Sequence, residues 1–141
     1  VIRSEPAGYW LDPRPYLAVL LSICEELPPG TRAFAESPGH YDFSSTECIK
    51  DLHLFVCGAG GPDFAVTVRF AANEWKHERG LALTYRNVIT LTLDPETESV
   101  GLHGSVPLGE LLPSRSGFEH EVALTEGVLR VAAEDLDAEW V

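Results

Sequence analysis

An α+β domain is what this sequence predicts: an N-terminal helix packed on a mostly antiparallel sheet of about five or six strands, within a single domain spanning 1–141. Three observations carry that prediction. Residues 16–27 hold apolar side chains at helical spacing, bracketed by prolines. Residues 63–72 and 81–93 alternate apolar and polar positions with a period of two. The closing stretch, 118–141, alternates again and carries the densest acid. A helical run followed by strand runs, without βαβ alternation, reads as α+β.

The opening VIRSEPAGYW has no charged-then-apolar signal segment, and Tyr9 and Trp10 are available to pack. It also lacks an initiator Met, which leads us to expect a trimmed start. Asp12 is a good N-cap, Pro13 falls at the first helical position, and Leu11 and Tyr16 are spaced as a hydrophobic staple. Tyr16, Leu17, Leu20, Leu21, Cys24 and Leu27 then form one apolar stripe. Pro28-Pro29-Gly30 is expected to stop the helix. Residues 31–49, with Phe34, Tyr41 and Phe43 as anchors, are read as an ordered loop.

From Lys50 the pattern becomes β. Leu52, Leu54 and Val56 alternate up to a turn at 58–62, and Phe64, Val66, Val68 and Phe70 share one face of the next strand. Residues 73–80, NEWKHERG, make a charged connection around Trp75. Leu81, Leu83, Tyr85, Ile89, Leu91 and Leu93 share a phase that Asn87 interrupts, which predicts a bulge or bend there. Residues 94–104 read as turns, and 107–112 as one helical turn before Pro113. The final hairpin joins at Glu126-Gly127. Val122 and Leu124 line one strand; Leu129, Val131 and Ala133 line the other, with Leu136, Ala138 and Trp140 continuing it.

Net charge is −12, and from Asp94 onward 11 acids face only Arg115 and Arg130. Such a balance argues against nucleic acid and against an anionic membrane, both of which need a basic patch. No run approaches the length of a membrane span. A basic partner protein is favoured, because acidic surfaces speed encounter with basic ones. Three cysteines without C-x-x-C spacing fit a reducing, cytoplasmic compartment.

Tests for chemistry point away from catalysis, from a cofactor and from a metal. Gly58-Ala59-Gly60-Gly61 precedes Pro62 and a strand, so it reads as a hairpin turn and not as a phosphate cradle. His40, His53, His77, His103 and His120 form neither H-x-H nor H-E-x-x-H. His120 reads as a surface residue whose charge follows pH. No G-x-S-x-G is present. Cys24 reads as a core residue, and nothing beside Cys48 or Cys57 argues for an activated thiol. Trp75 either folds back over the core, the commoner habit of Trp, or is displayed as a binding anchor.

The strand, bend, strand, loop and closing hairpin of LTYRNVITLTLDP and HEVALTEGVLRVAAEDLDAEWV, over 48–141, resemble the small immunity proteins of bacterial polymorphic toxin systems. The resemblance implies a non-enzymatic inhibitor that binds one cognate toxin domain in the cytosol of the producing bacterial cell. It carries no individual residue over. The residues themselves nominate the contact face: Glu119, Glu121, Glu134, Asp135, Asp137 and Glu139, with Trp75 as an anchor where displayed. Two alternatives stand beside this reading, a self-associating accessory subunit and a small hydrolase with a pocket of convergent polar groups.

Overall fold

The computed structural model describes residues 2–5, 8–11, 14–59, 64–94 and 104–141. Among them an N-terminal pair of strands, β1 (Ile2–Glu5) and β2 (Gly8–Leu11), precedes helix α1 (Arg14–Ile23), a 3-10 turn (Cys24–Glu26) and helix α2 (Pro29–Ala35). Strands β3 (His53–Ala59), β4 (Val66–Ala71), β5 (Leu81–Arg86), β6 (Thr90–Asp94), β7 (Leu108–Ser114), β8 (Gly117–Leu124), β9 (Gly127–Ala133) and β10 (Asp135–Trp140) follow. The fold is α+β, with its strands divided between two antiparallel four-stranded sheets, ordered β10-β5-β4-β3 and β6-β9-β8-β7. The expected cap at Asp12-Pro13, the centre of the 58–62 turn, and most of the turn-rich 94–104 stretch with His103 lie outside the described residues.

Two crossings make two sheets out of one meander. Asn87, expected as a bend, has φ 48 and sits where the chain leaves β5 in the first sheet for β6 in the second. The return crossing is at Glu134, between β9 and β10. The paired ribbon β5–β10 therefore continues as the paired ribbon β6–β9. On the other side, Val106 stitches the sheets: its N–H donates to Leu52 O at 2.8 Å and its carbonyl accepts from Asp51 N–H at 2.7 Å. Thr125 N–H donates to Ser105 O at 2.9 Å beside it.

One core fills the space between the sheets. Leu54, Val68, Phe70, Leu81, Leu83 and Tyr85 come from the first, and Leu111, Phe118, Val122, Leu129 and Val131 from the second. Apart from Leu111, which lies in the stretch read as a helical turn, these are inward positions that the alternation predicts. Ile89, expected in the phase of Leu81, Leu83 and Tyr85, is instead 57% exposed beyond the bend at Asn87. Phe64 is a second exception. It precedes β4 with φ 49 and is 84% exposed, because the strand begins only at Val66.

Three local expectations are corrected. Pro28-Pro29 ends the first helical region but starts α2, since a proline at the first helical position gives up an N–H that has no partner anyway. Residues 107–112 are strand, not a helical turn: Pro113 is tolerated because β7 is a sheet edge. At its end the chain reverses through Gly117, whose φ of 143 and close approach to the Ala133 carbonyl exclude any side chain. The ending 135–140 does not extend β9 but pairs with β5.

Both helices guard edges. Tyr16 is the buried residue of α1, and its hydroxyl donates to Leu111 O at 3.0 Å while accepting Leu111 N–H at 2.9 Å. That one phenol stands in for a neighbouring strand on the outer edge of β7. α2 lies against β10, with Gly30 so close to the Leu136 carbonyl that no Cβ would fit.

Candidate functional site

Asp135 is the most heavily used acid of the closing stretch, and it faces inward. Its carboxylate accepts from Thr31 N–H and Thr31 Oγ1 at 2.8 Å each, from Gly30 N–H at 3.1 Å, and from Arg86 at 3.0 Å. It is thus the cap of α2, supplied from more than a hundred residues away. Burial pushes its pKa up, but these hydrogen bonds outweigh burial and hold it below the usual carboxylate range. As a partner-binding residue it is a correction: at 8% exposure it offers nothing to a partner.

The other nominated acids do not share one face either. Asp137 and Glu139 are exposed on β10 in the first sheet, with Arg86 pairing Asp137 at 2.9 Å. Glu134 occupies the crossing and accepts from Asn87 Nδ2 at 2.8 Å. Glu119 and Glu121 lie on β8 in the second sheet. The two sheets share their core, so their outer faces look away from each other. The single acidic face expected of a continuous ribbon is divided because the ribbon changes sheet at Glu134.

What remains together is on the second sheet. Strand register there aligns Thr90, Ala132, Glu119 and Leu112 in one cross-strand row and Thr92, Arg130, Glu121 and Glu110 in the next. These two rows line an open groove of about 230 Å³. Its charges are three glutamates and one arginine, with Arg130 paired to Glu121 at 3.1 Å. Glu110 sits directly opposite Glu121 across the strands, which places two acids side by side on this face. Small Ala132 leaves the space, and Leu112, 41% exposed, gives it one apolar wall. Glu110 and Leu112 escape sequence reading because 107–112 reads as helix, and the two threonines because nothing local marks one outward strand position as a site. The alternation of Leu108, Glu110 and Leu112 before a Ser-Arg-Ser-Gly turn was the available signal.

Trp75 is displayed, not folded back. It is 94% exposed on the turn between β4 and β5, where Asn73 Oδ1 accepts its backbone N–H at 3.0 Å. A side-chain amide that holds the turn leaves the indole no route to the core. Beside it the only two lysines of the chain, Lys50 and Lys76, reach Asp51 at 2.8 and 3.3 Å. Those charges hold the carboxyl of Asp51 below its usual range against the opposing effect of burial.

His40, His77, His120, Cys24 and Cys48 are buried in structural places. His77 accepts from Asn73 N–H through Nδ1 at 3.1 Å, which leaves Nε2–H to donate to Cys48 O at 2.8 Å. His120, expected at the surface, is buried at 2% exposure with Nδ1 2.8 Å from the Tyr85 hydroxyl. It takes the core phase of β8 with Phe118 and Val122. Burial lowers its pKa to about 3 and that of His40 to about 4. Burial pushes the thiols of Cys48 and Cys24 upward, away from thiolate character.

Fold and groove together define a two-sheet α+β protein with a concave acidic sheet face. No protein-family model and no curated protein matches the chain. Among solved structures it is similar to an uncharacterized protein from Neisseria gonorrhoeae, at 15% identity and a TM-score of 0.50, over 64% of this chain and 91% of that one. At that identity the likeness concerns the fold alone. Among the described residues no helix is long and apolar enough to cross a membrane, and no three His, Cys, Asp or Glu side chains gather as metal ligands.

Proposed function

We propose that this chain is a non-enzymatic acidic binding protein that receives a basic partner on the outer face of the β6-β9-β8-β7 sheet. The observation that carries the reading is the pair of cross-strand rows that concentrate Glu110, Glu119 and Glu121 in one groove with only Arg130 among them. A lysine or arginine entering there meets the carboxylates of the groove and lays its methylenes on Leu112 and Ala132. The net charge of −12 adds long-range steering, worth ~10–1000-fold in association rate and lost in salt.

The specific form of this reading is an immunity protein that occludes the basic site of a cognate toxin in the bacterial cytosol. The resemblance of 48–141 to immunity proteins supports it, as does the acid-rich surface, which mimics the charge of a nucleic-acid substrate. Burial and structural bonding of His40, His77 and His120 weigh against the hydrolase alternative, since none is set beside an activated nucleophile.

Co-purification of the untagged protein from its own cells tests both levels. The expected result is a basic companion that dissociates in high salt, is absent from a Glu110→Lys, Glu119→Lys, Glu121→Lys triple variant, and arrests growth when expressed alone. A companion retained by the triple variant rejects this face. A companion that is harmless alone rejects the immunity role and leaves the binding role standing.

A further inference from the structure

Two four-stranded sheets have four outer edges, and among the described residues three of them are guarded. α2 lies against β10, while β7 ends in Pro113 and has both backbone groups of Leu111 bonded to Tyr16. β3 carries a bulge at Phe55 and meets Ser105 at His53. β6 shows no such guard among them: its sequence TLTLD holds neither proline nor lysine, and its register with β9 runs without a bulge. Thr90, Thr92 and Asp94 are exposed on the outer face. Leu91 and Leu93, on the core face, are only half buried, and Ile89 just before them is 57% exposed. The apolar row along this edge is left incomplete by the chain itself.

The strand also reads almost the same from either end about Thr92. We propose that β6 pairs antiparallel with the β6 of a second copy of this chain, on a two-fold axis through Thr92, joining two β6-β9-β8-β7 sheets into one of eight strands. In that register Leu91 faces Leu93 of the other copy on the core side, Thr92 faces Thr92, and Thr90 faces Asp94. A closed two-fold contact uses one patch twice, which a strand of this symmetry satisfies. Charge permits the contact here. Asp94 is the one charged residue of β6, and it meets an uncharged threonine. The glutamates of β8 in the two copies lie five strand spacings apart, about 24 Å, well beyond the screening length of about 8 Å. Pairing leaves both acidic grooves open on the same face, so the dimer goes beyond the binding reading above and does not rest on it. Two five-residue edges bury little area, and the dimer is therefore weak and reversible.

Sedimentation velocity on the full chain, from about 10 to about 300 µM, is the test, the range being that of weak transient interfaces. The expected result is a monomer–dimer equilibrium that Thr92→Lys abolishes, because two cations then meet on the axis. Thr92 is exposed, so the variant folds, as circular dichroism will show. Disulfide trapping reads the register. With oxidised glutathione, Thr92→Cys cross-links at least ~10-fold faster than Thr90→Cys, since cross-strand partners stand about 5 Å apart whereas the two Thr90 positions are offset by four residues, about 13 Å. A chain that stays monomeric throughout overturns the proposal, as does a dimer indifferent to Thr92→Lys. Equal cross-linking of the two cysteine variants overturns it as well.

Discussion

Two arginines each answer the acids of one sheet, and the outcomes differ. At the crossing, Arg86 pairs with Asp135 and Asp137, and Asp135 is further bonded to Gly30, Thr31 and Leu136. On the second sheet, Arg130 pairs with Glu121 alone, and both partners are about half exposed. In the first cluster Asp135 is buried, saturated and holds α2 to β10, while Arg86 and Asp137 reach solvent. The second is wet and carries more acid than base. Exposed pairs contribute little to stability, whereas removing one partner of a buried hub leaves desolvated groups without partners. Acid is used for architecture at one place and is presented to solvent at the other.

That contrast breaks or holds under measurement. Acid should act most strongly, and on the interior. Above pH 6.5 His40 and His120 are neutral in folded and unfolded chains alike. Below it the unfolded chain binds protons that the folded one refuses until about pH 4 and about pH 3. Stability therefore falls as pH drops, by roughly 2 kcal/mol per histidine at pH 4.5. Asp135 adds to the loss only at lower pH still, because the stability from its depressed pKa is present above the usual carboxylate pKa and disappears as pH falls below it. Urea midpoints at pH 7 and 4.5 measure the sum; equal midpoints would refute the buried-histidine account.

Asp135→Ala comes next, with an expected loss of about 3 kcal/mol from the orphaned Gly30 and Thr31 groups. An equilibrium urea titration against the parent chain decides it. Tyr16→Phe should follow at about 1–2 kcal/mol, since both edge groups of Leu111 lose their partner while the ring still packs. The groove lies at the far end of the scale. Glu119→Gln and Glu121→Gln should each change stability by less than about 0.5 kcal/mol. Both should slow association with a basic partner, more at low salt than at high. Should Glu121→Gln destabilise as Asp135→Ala does, the distinction between the two clusters collapses.

How far the sequence carried can be read residue by residue. Leu81, Leu83 and Tyr85 are inward because alternation on one side of a sheet is a local pattern, and the bend at Asn87 follows from one polar residue in that phase. The helical stripe is half right: Tyr16, Cys24 and Leu27 are buried, while Leu21, equally apolar and nearly in phase, is not. Periodicity says which residues of a helix share a face but not how much of that face the rest of the chain covers. Asp135 shows the same limit for charge. It stands between Glu134 and Asp137 in sequence, and nothing local distinguishes it from them.

The α+β class, the strand phases and the surplus of acid are properties of sequence alone, because propensity, period and charge reside in neighbouring residues. Which carboxylate caps α2, which three glutamates meet across a groove, and which indole stands in solvent are decided by tertiary structure. The first depends on the crossing at Glu134, the second on the pairing of β7 with β8, and the third on the turn that Asn73 holds. A sheet assembles its rows from residues far apart in sequence, so its faces exist only once the strands have paired.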